Sequence, residues 1–268
     1  MTSTALCAIV KNEGEYIAEW LAHHVALGFD RVLIFDNDST DNTRDELQRL
    51  ARLVPIEVRS WPDAGERRVQ VAAYEHACRE LAGKVEWVAF LDVDEFLVSQ
   101  RGGRLPDLLS EAQGCAGIAV NWLMFGTSGH EQKPDGLVLE AFQMRSAIEF
   151  PPNRHVKSLI RPDRALGCSN AHAFALDGAY CGPAGQPVRW EVLGITAGLP
   201  DVGNWRVHHY FTRHSAYWHA KLARRRLNRD EPPRTVADIV AHNRNDVYDP
   251  AALRYVPAVR AMLDRLAD

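Results

Sequence analysis

A chain of 268 residues, 46% hydrophobic and 25% charged, fits one large domain or two small ones and has the composition of an ordinary globular protein. Its net charge of −4 gives no overall case for nucleic-acid binding. Five scattered cysteines without a C-x-x-C pair argue against a disulfide framework or a zinc site and suit a reducing cytosol; no apolar run reaches the length of a membrane span, and no signal-peptide pattern opens the chain.

In chain order, the apolar run 5–10 reads as a first strand, broken by Lys11-Asn12-Glu13-Gly14. A helix follows from about Glu15 to Leu27, with Ile17, Trp20, Leu21, His24 and Val25 on one face and Gly28 as its stop. Residues 31–35 form a second strand, ending in the turn and capping cluster Asp36-Asn37-Asp38-Ser39-Thr40-Asp41. A helix bearing Leu47, Leu50 and Val54 leads to a third strand near 55–61 and a helix over 66–81. The fourth strand begins at Trp87. This β-α alternation predicts an α/β protein with a mostly parallel sheet flanked by helices, with ligands at the carboxyl ends of the strands. After residue 100 the pattern loosens. Strand-like runs at 117–125, 136–144, 156–161 and 205–211 are separated by Gly/Pro-rich loops, and helices are expected over 215–228, 235–243 and 251–266. The expected organisation is one domain over 1–268, with a nucleotide-binding half (1–100), an acceptor and metal half (101–230) and C-terminal helices (231–268).

The most telling stretch is Trp87-Val88-Ala89-Phe90-Leu91-Asp92-Val93-Asp94-Glu95-Phe96. An apolar run ends in three carboxylates within four positions. Such a cluster repels itself and desolvates at a cost unless something cationic compensates. A divalent metal holding a phosphorylated ligand is the economical answer, because hard cations take one or two carboxylates plus phosphate oxygens. On a continuous strand Asp92 and Asp94 would face one side and Val93 the other.

The block from Ala8 to Asp41, together with W-V-A-F-L-D-V-D-E-F-L (87–97), W-L-M-F-G-T-S-G-H (122–130), V-K-S-L-I-R-P (156–162), N-A-H-A-F (170–174) and V-H-H-Y-F-T-R-H-S (207–215), resembles GT-A glycosyltransferases of the family 2 and family 92 type. These blocks run in order over most of the chain. The resemblance implies a GT-A, Rossmann-like fold with a loop-rich acceptor half. It implies a metal-dependent enzyme, using Mn²⁺ or Mg²⁺, that moves a sugar from a nucleoside diphosphate, UDP by expectation, to a glycan or glycolipid hydroxyl.

The resemblance also assigns expectations to residues. Asp94 is the first metal ligand, with Asp92 acting through water or on the ribose and His209 as a further ligand. Glu95 points away in a supporting role. Lys11, Asn12, Glu13, Asp36 and Asn37 frame the base and ribose, and Arg67 and Gln70 contact the nucleotide. Arg213 and Lys221, with Arg224, Arg225 and Arg226, form a cationic lid over the diphosphate or, alternatively, a basic surface over 221–229 attracted to anionic lipid. Lys157 is a functional residue grouped with the catalytic candidates. An inverting mechanism needs a general base, for which His130, Glu131, Asp135 and His172 are open candidates, whereas a retaining mechanism needs none; the sequence leaves both open. Trp122 and Phe125 are candidates for stacking on a sugar or for the core. Two other classes compete: a sugar-phosphate nucleotidyltransferase, which the single glycine of K-N-E-G disfavours, and a non-catalytic glycan-binding relative.

Overall fold

The computed structural model describes residues 2–63, 68–223 and 232–266. Its centre is a nine-stranded sheet. The strands are β1 (Thr4–Val10), β2 (Arg31–Asp36), β3 (Ile56–Ser60), β4 (Trp87–Phe90), β5 (Glu95–Ser99), β6 (Gly117–Met124), β7 (Val156–Ile160), β8 (Tyr180–Cys181) and β9 (Trp205–His209). They lie in the order β3-β2-β1-β4-β7-β6-β9-β5, with β8 beside the start of β6. Five of the eight pairings are parallel, and the antiparallel ones are β4 with β7, β7 with β6, and β9 with β5. This is the expected α/β arrangement with a mostly parallel sheet.

β1 is buried along its whole length because both faces of the sheet are covered. Leu6, Ala8 and Val10 pack on the side of helices α1 (Ile17–Leu27) and α2 (Thr43–Leu50), whereas Ala5, Cys7 and Ile9 pack against α3 (Val69–Leu81). That split is the period of two of a strand. α1 ends as expected at Gly28, whose φ of +125° suits glycine alone and whose N–H returns to the His24 carbonyl. Trp20 is fully buried and its indole N–H donates to the Glu95 carbonyl at 2.9 Å, tying α1 to β5.

Several expectations are corrected. The run 136–144 is not a strand but contains a short helix, Val138–Ala141. Its first N–H groups have ready partners: Val138 and Leu139 donate to the Glu19 carboxylate at 2.7 and 2.9 Å, and Leu137 donates to Glu140 at 3.1 Å. The apolar run from Trp87 leaves strand geometry after Phe90, and a turn closed by the Glu95 N–H on the Asp92 carbonyl at 2.9 Å sends the chain back as β5. The helix expected over 251–266 starts as a 3₁₀ turn, Ala251–Tyr255, before an α-helix, Val256–Asp264, whose first turn holds Pro257. Cys115 and Cys181 are paired as a disulfide with Cα atoms 6.0 Å apart, although 66 positions separate them. The fold makes them neighbours by setting β8 beside β6, which spacing cannot reveal, so the scattered cysteines carry no evidence for a reducing compartment. Among the described residues no helix is long and apolar enough to cross a membrane.

Candidate active site

A cleft of about 520 Å³ opens at the carboxyl ends of β1, β4, β6 and β9. One side is formed by Ile9, Lys11, Glu13, Gln70, Asp92, Val93 and Asp94, and the other by residues of the second half, among them Trp122, His155, His172, His209 and Lys221. Its size and mixed polar and apolar lining are those of a small-molecule site.

The loop after β1 is shaped by the loop after β2. The Asn12 N–H donates to Ser39 Oγ at 3.0 Å, and the Asn12 side-chain oxygen accepts the Thr40 N–H at 2.7 Å. Glu13 donates its N–H to Thr43 Oγ1 at 2.9 Å, and Gly14 donates to Asp41 at 3.1 Å. A β-carbon on Gly14 would lie 2.1 Å from the Asn42 side-chain oxygen, so only glycine lets the loops approach. Asn12 takes a left-handed φ of 55°. Lys11 and Glu13 thereby reach the cleft, whereas Asn12, Asp36 and Asn37 do not line it. Asp36 is buried and accepts from Ser39 N–H and Arg44 Nε, and Asn37 donates to the Trp61 carbonyl at 2.8 Å. These three residues fix the loops. Ser39 and Thr40 serve this joint instead of capping α2, whereas Asp41 does both: it joins the loops and its Oδ1 accepts the N–H of Thr43, the first residue of α2, at 3.0 Å.

Asp92 stands on a floor of donors. Gln70 Nε2 and Tyr74 Oη reach Oδ1 at 2.8 and 3.3 Å, and Lys157 Nζ reaches Oδ2 at 2.9 Å. Lys157 is wholly buried on β7 and also lies 3.1 Å from Glu95, whose same oxygen accepts the Asp92 N–H at 2.8 Å. Burial opposes the charge on Lys157, but Asp92 and Glu95 outweigh it and raise its pKa. Glu95 shares that one cation with Asp92, so burial prevails and its pKa is raised well above the carboxylate range. Glu95 is fully buried and does not line the cleft. Lys157 does not line the cleft.

Asp94, on the same side of the cleft, is held by partners from the other. Its Oδ2 accepts from Lys221 Nζ at 3.0 Å, and its Oδ1 lies 3.5 Å from His209 Nε2. Burial opposes its charge, but Lys221 and then His209 hold the carboxyl well below its ordinary range. Asp94 offsets only part of the effect of burial on Lys221, which is pulled down to about 8. Burial also lowers His209 despite Asp94, which favours a neutral imidazole. His209 packs against Trp122 with the rings tilted by 57° and 4.3 Å between centroids, and its buried Nδ1 has no partner among the described residues.

Asp94 and His209 are an oxygen and a nitrogen donor facing one cleft, close enough to be spanned by one ion. Among the described residues there is no group of three or more His, Cys, Asp or Glu able to hold a metal alone. The donor set therefore fits a hard divalent cation that completes its coordination with ligands from outside the chain, and does not fit a closed structural site.

The remaining candidates fall into two groups. His172 lines the cleft, and its Nδ1 pairs with the Val156 carbonyl at 3.1 Å, directing Nε2 elsewhere. His130, Glu131 and Asp135 do not line it; His130 Nε2 binds the Ala141 carbonyl at 3.1 Å, while Glu131 and Asp135 are exposed. Phe125 is buried in the core and Trp122 lines the cleft. Arg213 does not line it either. It is buried with its guanidinium 3.6 Å from the Tyr16 ring centroid, reaching Glu13 and the Val93 carbonyl at 3.4 Å each. It therefore braces the β1 loop against the Asp92–Asp94 turn. Arg67 and Arg224, Arg225 and Arg226, with most of the 221–229 stretch, lie outside the described residues. Sequence reasoning missed Tyr74, His155, Asp238 and His242. Tyr74 follows Gln70, and His242 follows Asp238, by four positions on a helix, a spacing that could have drawn attention to each pair.

The family model of glycosyltransferase family 92 matches residues 6–186. Relatives described as glycosyltransferase family 92 proteins include one from Ricinus communis, 29% identical over 163 residues, covering 59% of this chain and 28% of that protein. One from Oryza sativa subsp. japonica is 29% identical over 165 residues, covering 60% and 27%. The chain thus spans little more than a quarter of the length of these relatives. Similar solved structures include glucosyl-3-phosphoglycerate synthase from Mycobacterium tuberculosis in complex with Mn²⁺ and uridine-diphosphate-glucose, at TM-score 0.32 and 16% identity, covering 45% of this chain and 44% of that one. HddC from Yersinia pseudotuberculosis has TM-score 0.42 and 7% identity, covering 68% and 89%.

Proposed function

The chain belongs to glycosyltransferase family 92, and from that premise we propose that it transfers a sugar from a nucleoside-diphosphate sugar, UDP-linked, to a hydroxyl of a glycan or glycolipid, in the assembly of a surface polysaccharide or glycoconjugate. The observation that carries the reading is the pairing of Asp94 with His209 across a cleft, with Lys221 on the same carboxylate. Glycosyl transfer needs the charge growing on the departing diphosphate to be neutralised. A divalent cation, Mn²⁺ or Mg²⁺, held by Asp94 and His209 would supply Lewis-acid neutralisation there.

The chain's own residues do the rest. Lys11 and Glu13, presented by the interlocked loops, and Gln70 line the donor side and bind the nucleotide. Asp92, fixed by its donors, offers a rigid acceptor to sugar or ribose hydroxyls. Arg213 keeps the Asp92–Asp94 turn and the β1 loop in register. His172, within the cleft and with Nδ1 occupied, is the candidate of the original four best placed to take a proton from the acceptor through Nε2. Incubation with a panel of nucleotide sugars and Mn²⁺ tests the reading. Release of a nucleoside diphosphate from at least one donor, with UDP-sugars favoured, is expected. Inertness toward every donor, with and without metal, refutes it.

A further inference from the structure

The three carboxylates of the Asp92–Glu95 turn are met by two lysines that arrive from distant parts of the chain, and the two are held differently. Lys157 is wholly buried between two carboxylates and does not reach the cleft. Lys221 lines the cleft, rests on one oxygen of Asp94 at 3.0 Å, and is kept at the wall by the Phe211 carbonyl at 2.6 Å and the Phe211 ring, whose centroid is 3.6 Å away. The other oxygen of Asp94 faces His209.

We propose that Lys221 is an exchangeable cation: it neutralises Asp94 until a divalent ion takes that carboxylate, and then turns to the diphosphate of the donor. This rests on the function proposed above. The physical argument is one of charge. An ammonium on a carboxylate oxygen opposes a second, doubly charged cation on the same carboxylate. Once a divalent ion has displaced it, the ammonium stays beside the cleft, because the Phe211 carbonyl and ring still hold it. A nucleoside diphosphate then brings the negative oxygens that replace Asp94 as its partner. In the transfer step the acceptor oxygen bonds to the anomeric carbon, the bond from that carbon to the diphosphate oxygen breaks, and the acceptor proton leaves to a base. Lys221 receives no proton; it stabilises the charge left on the diphosphate.

The consequence is a change of opposite sign in two affinities when the charge at Lys221 is removed, which a merely structural lysine would not produce. Calorimetric titration of Mn²⁺ alone, and of UDP at saturating Mn²⁺, would be run on the unmodified chain, Lys221→Met, Lys221→Gln and Lys221→Arg, with thermal melting to verify folding. Both neutral variants should bind Mn²⁺ alone about fivefold more tightly or better, and bind UDP with Mn²⁺ about fivefold more weakly or worse. The Arg variant should stay near the unmodified chain in both. Weakening of both affinities by the neutral variants, or no change in either, overturns the proposal while leaving the proposed function standing. Failure of the unmodified chain to bind UDP under any metal condition overturns both.

Discussion

Asp92 and Asp94 stand two positions apart on one turn, yet the molecule treats them as different kinds of group. Asp92 is part of the floor: three donors reach its carboxylate, its own N–H is taken by Glu95, and the lysine behind it is sealed from solvent. Asp94 is part of the wall. Its partners, Lys221 and His209, both line the cleft and come from the last third of the chain. The difference teaches that a short acidic motif can hold one permanently compensated carboxylate and one whose compensation can change hands. Where the sequence alone pointed to a metal as the missing cation, the fold supplies two lysines, and of these only Lys221 stands where an ion would compete with it.

The largest expected break in this comparison comes from Lys157→Met. It leaves Glu95 buried without its cation and Asp92 without its anchor, so stability to urea should fall by about 3–5 kcal/mol. Adding Glu95→Gln should restore a good part of it, whereas Lys221→Met, which leaves Asp94 its His209 partner and the open cleft, should cost clearly less. If the two lysine variants are equally destabilised, floor and wall are not distinct.

A second test concerns the scaffold behind the floor. His23 is fully buried on α1, and its ring binds the Leu97 carbonyl of β5 at 2.8 Å. Burial lowers its pKa to about 4. The unfolded chain takes up this proton below its ordinary pKa of about 6.5, while the folded chain resists until about 4. Its contribution is therefore whole above the unfolded value and is lost as pH falls through this window, by up to about 3 kcal/mol. Unfolding free energies measured across that range should fall less steeply in His23→Gln; an unchanged slope would remove His23 from the account.

On the wall, His209→Gln should weaken Mn²⁺-supported UDP binding by about tenfold or more, with stability changed much less. A calorimetric series reads both, and intact affinity would take His209 out of the donor set. The smallest effects belong outside the cleft. Glu131→Gln and Asp135→Asn should leave stability within about 0.5 kcal/mol and nucleotide-sugar turnover unchanged; a large loss of turnover would place part of the chemistry beyond the cleft described.

Much of this was legible in the sequence, where the physics is local. The strand-helix alternation of the first half, the Gly28 stop and the polar strand ends follow from period, φ and turn chemistry. Asp94 and His209 were nameable because family motifs marked them. What was not legible depends on long-range placement. Nothing near Lys157 or Lys221 indicates which carboxylate each will meet, 65 and 127 positions away. The Cys115–Cys181 pair and the Glu19 carboxylate that starts the helix Val138–Ala141 are likewise contacts made by the fold. Asp36 and Asn37 have the residue types of ligand-binding groups but are used up in closing the β2 loop, which only the hydrogen-bond partners disclose.

The central claim is that Asp94 recruits a divalent cation to hold a nucleoside diphosphate in this cleft. The most direct measurement is calorimetric titration of UDP into the unmodified chain and into Asp94→Asn, each with Mn²⁺ and with a chelator. The account predicts UDP binding by the unmodified chain that requires Mn²⁺ and is lost in the variant. UDP binding of equal strength in the chelator, or retained with Mn²⁺ in a folded Asp94→Asn, would contradict it.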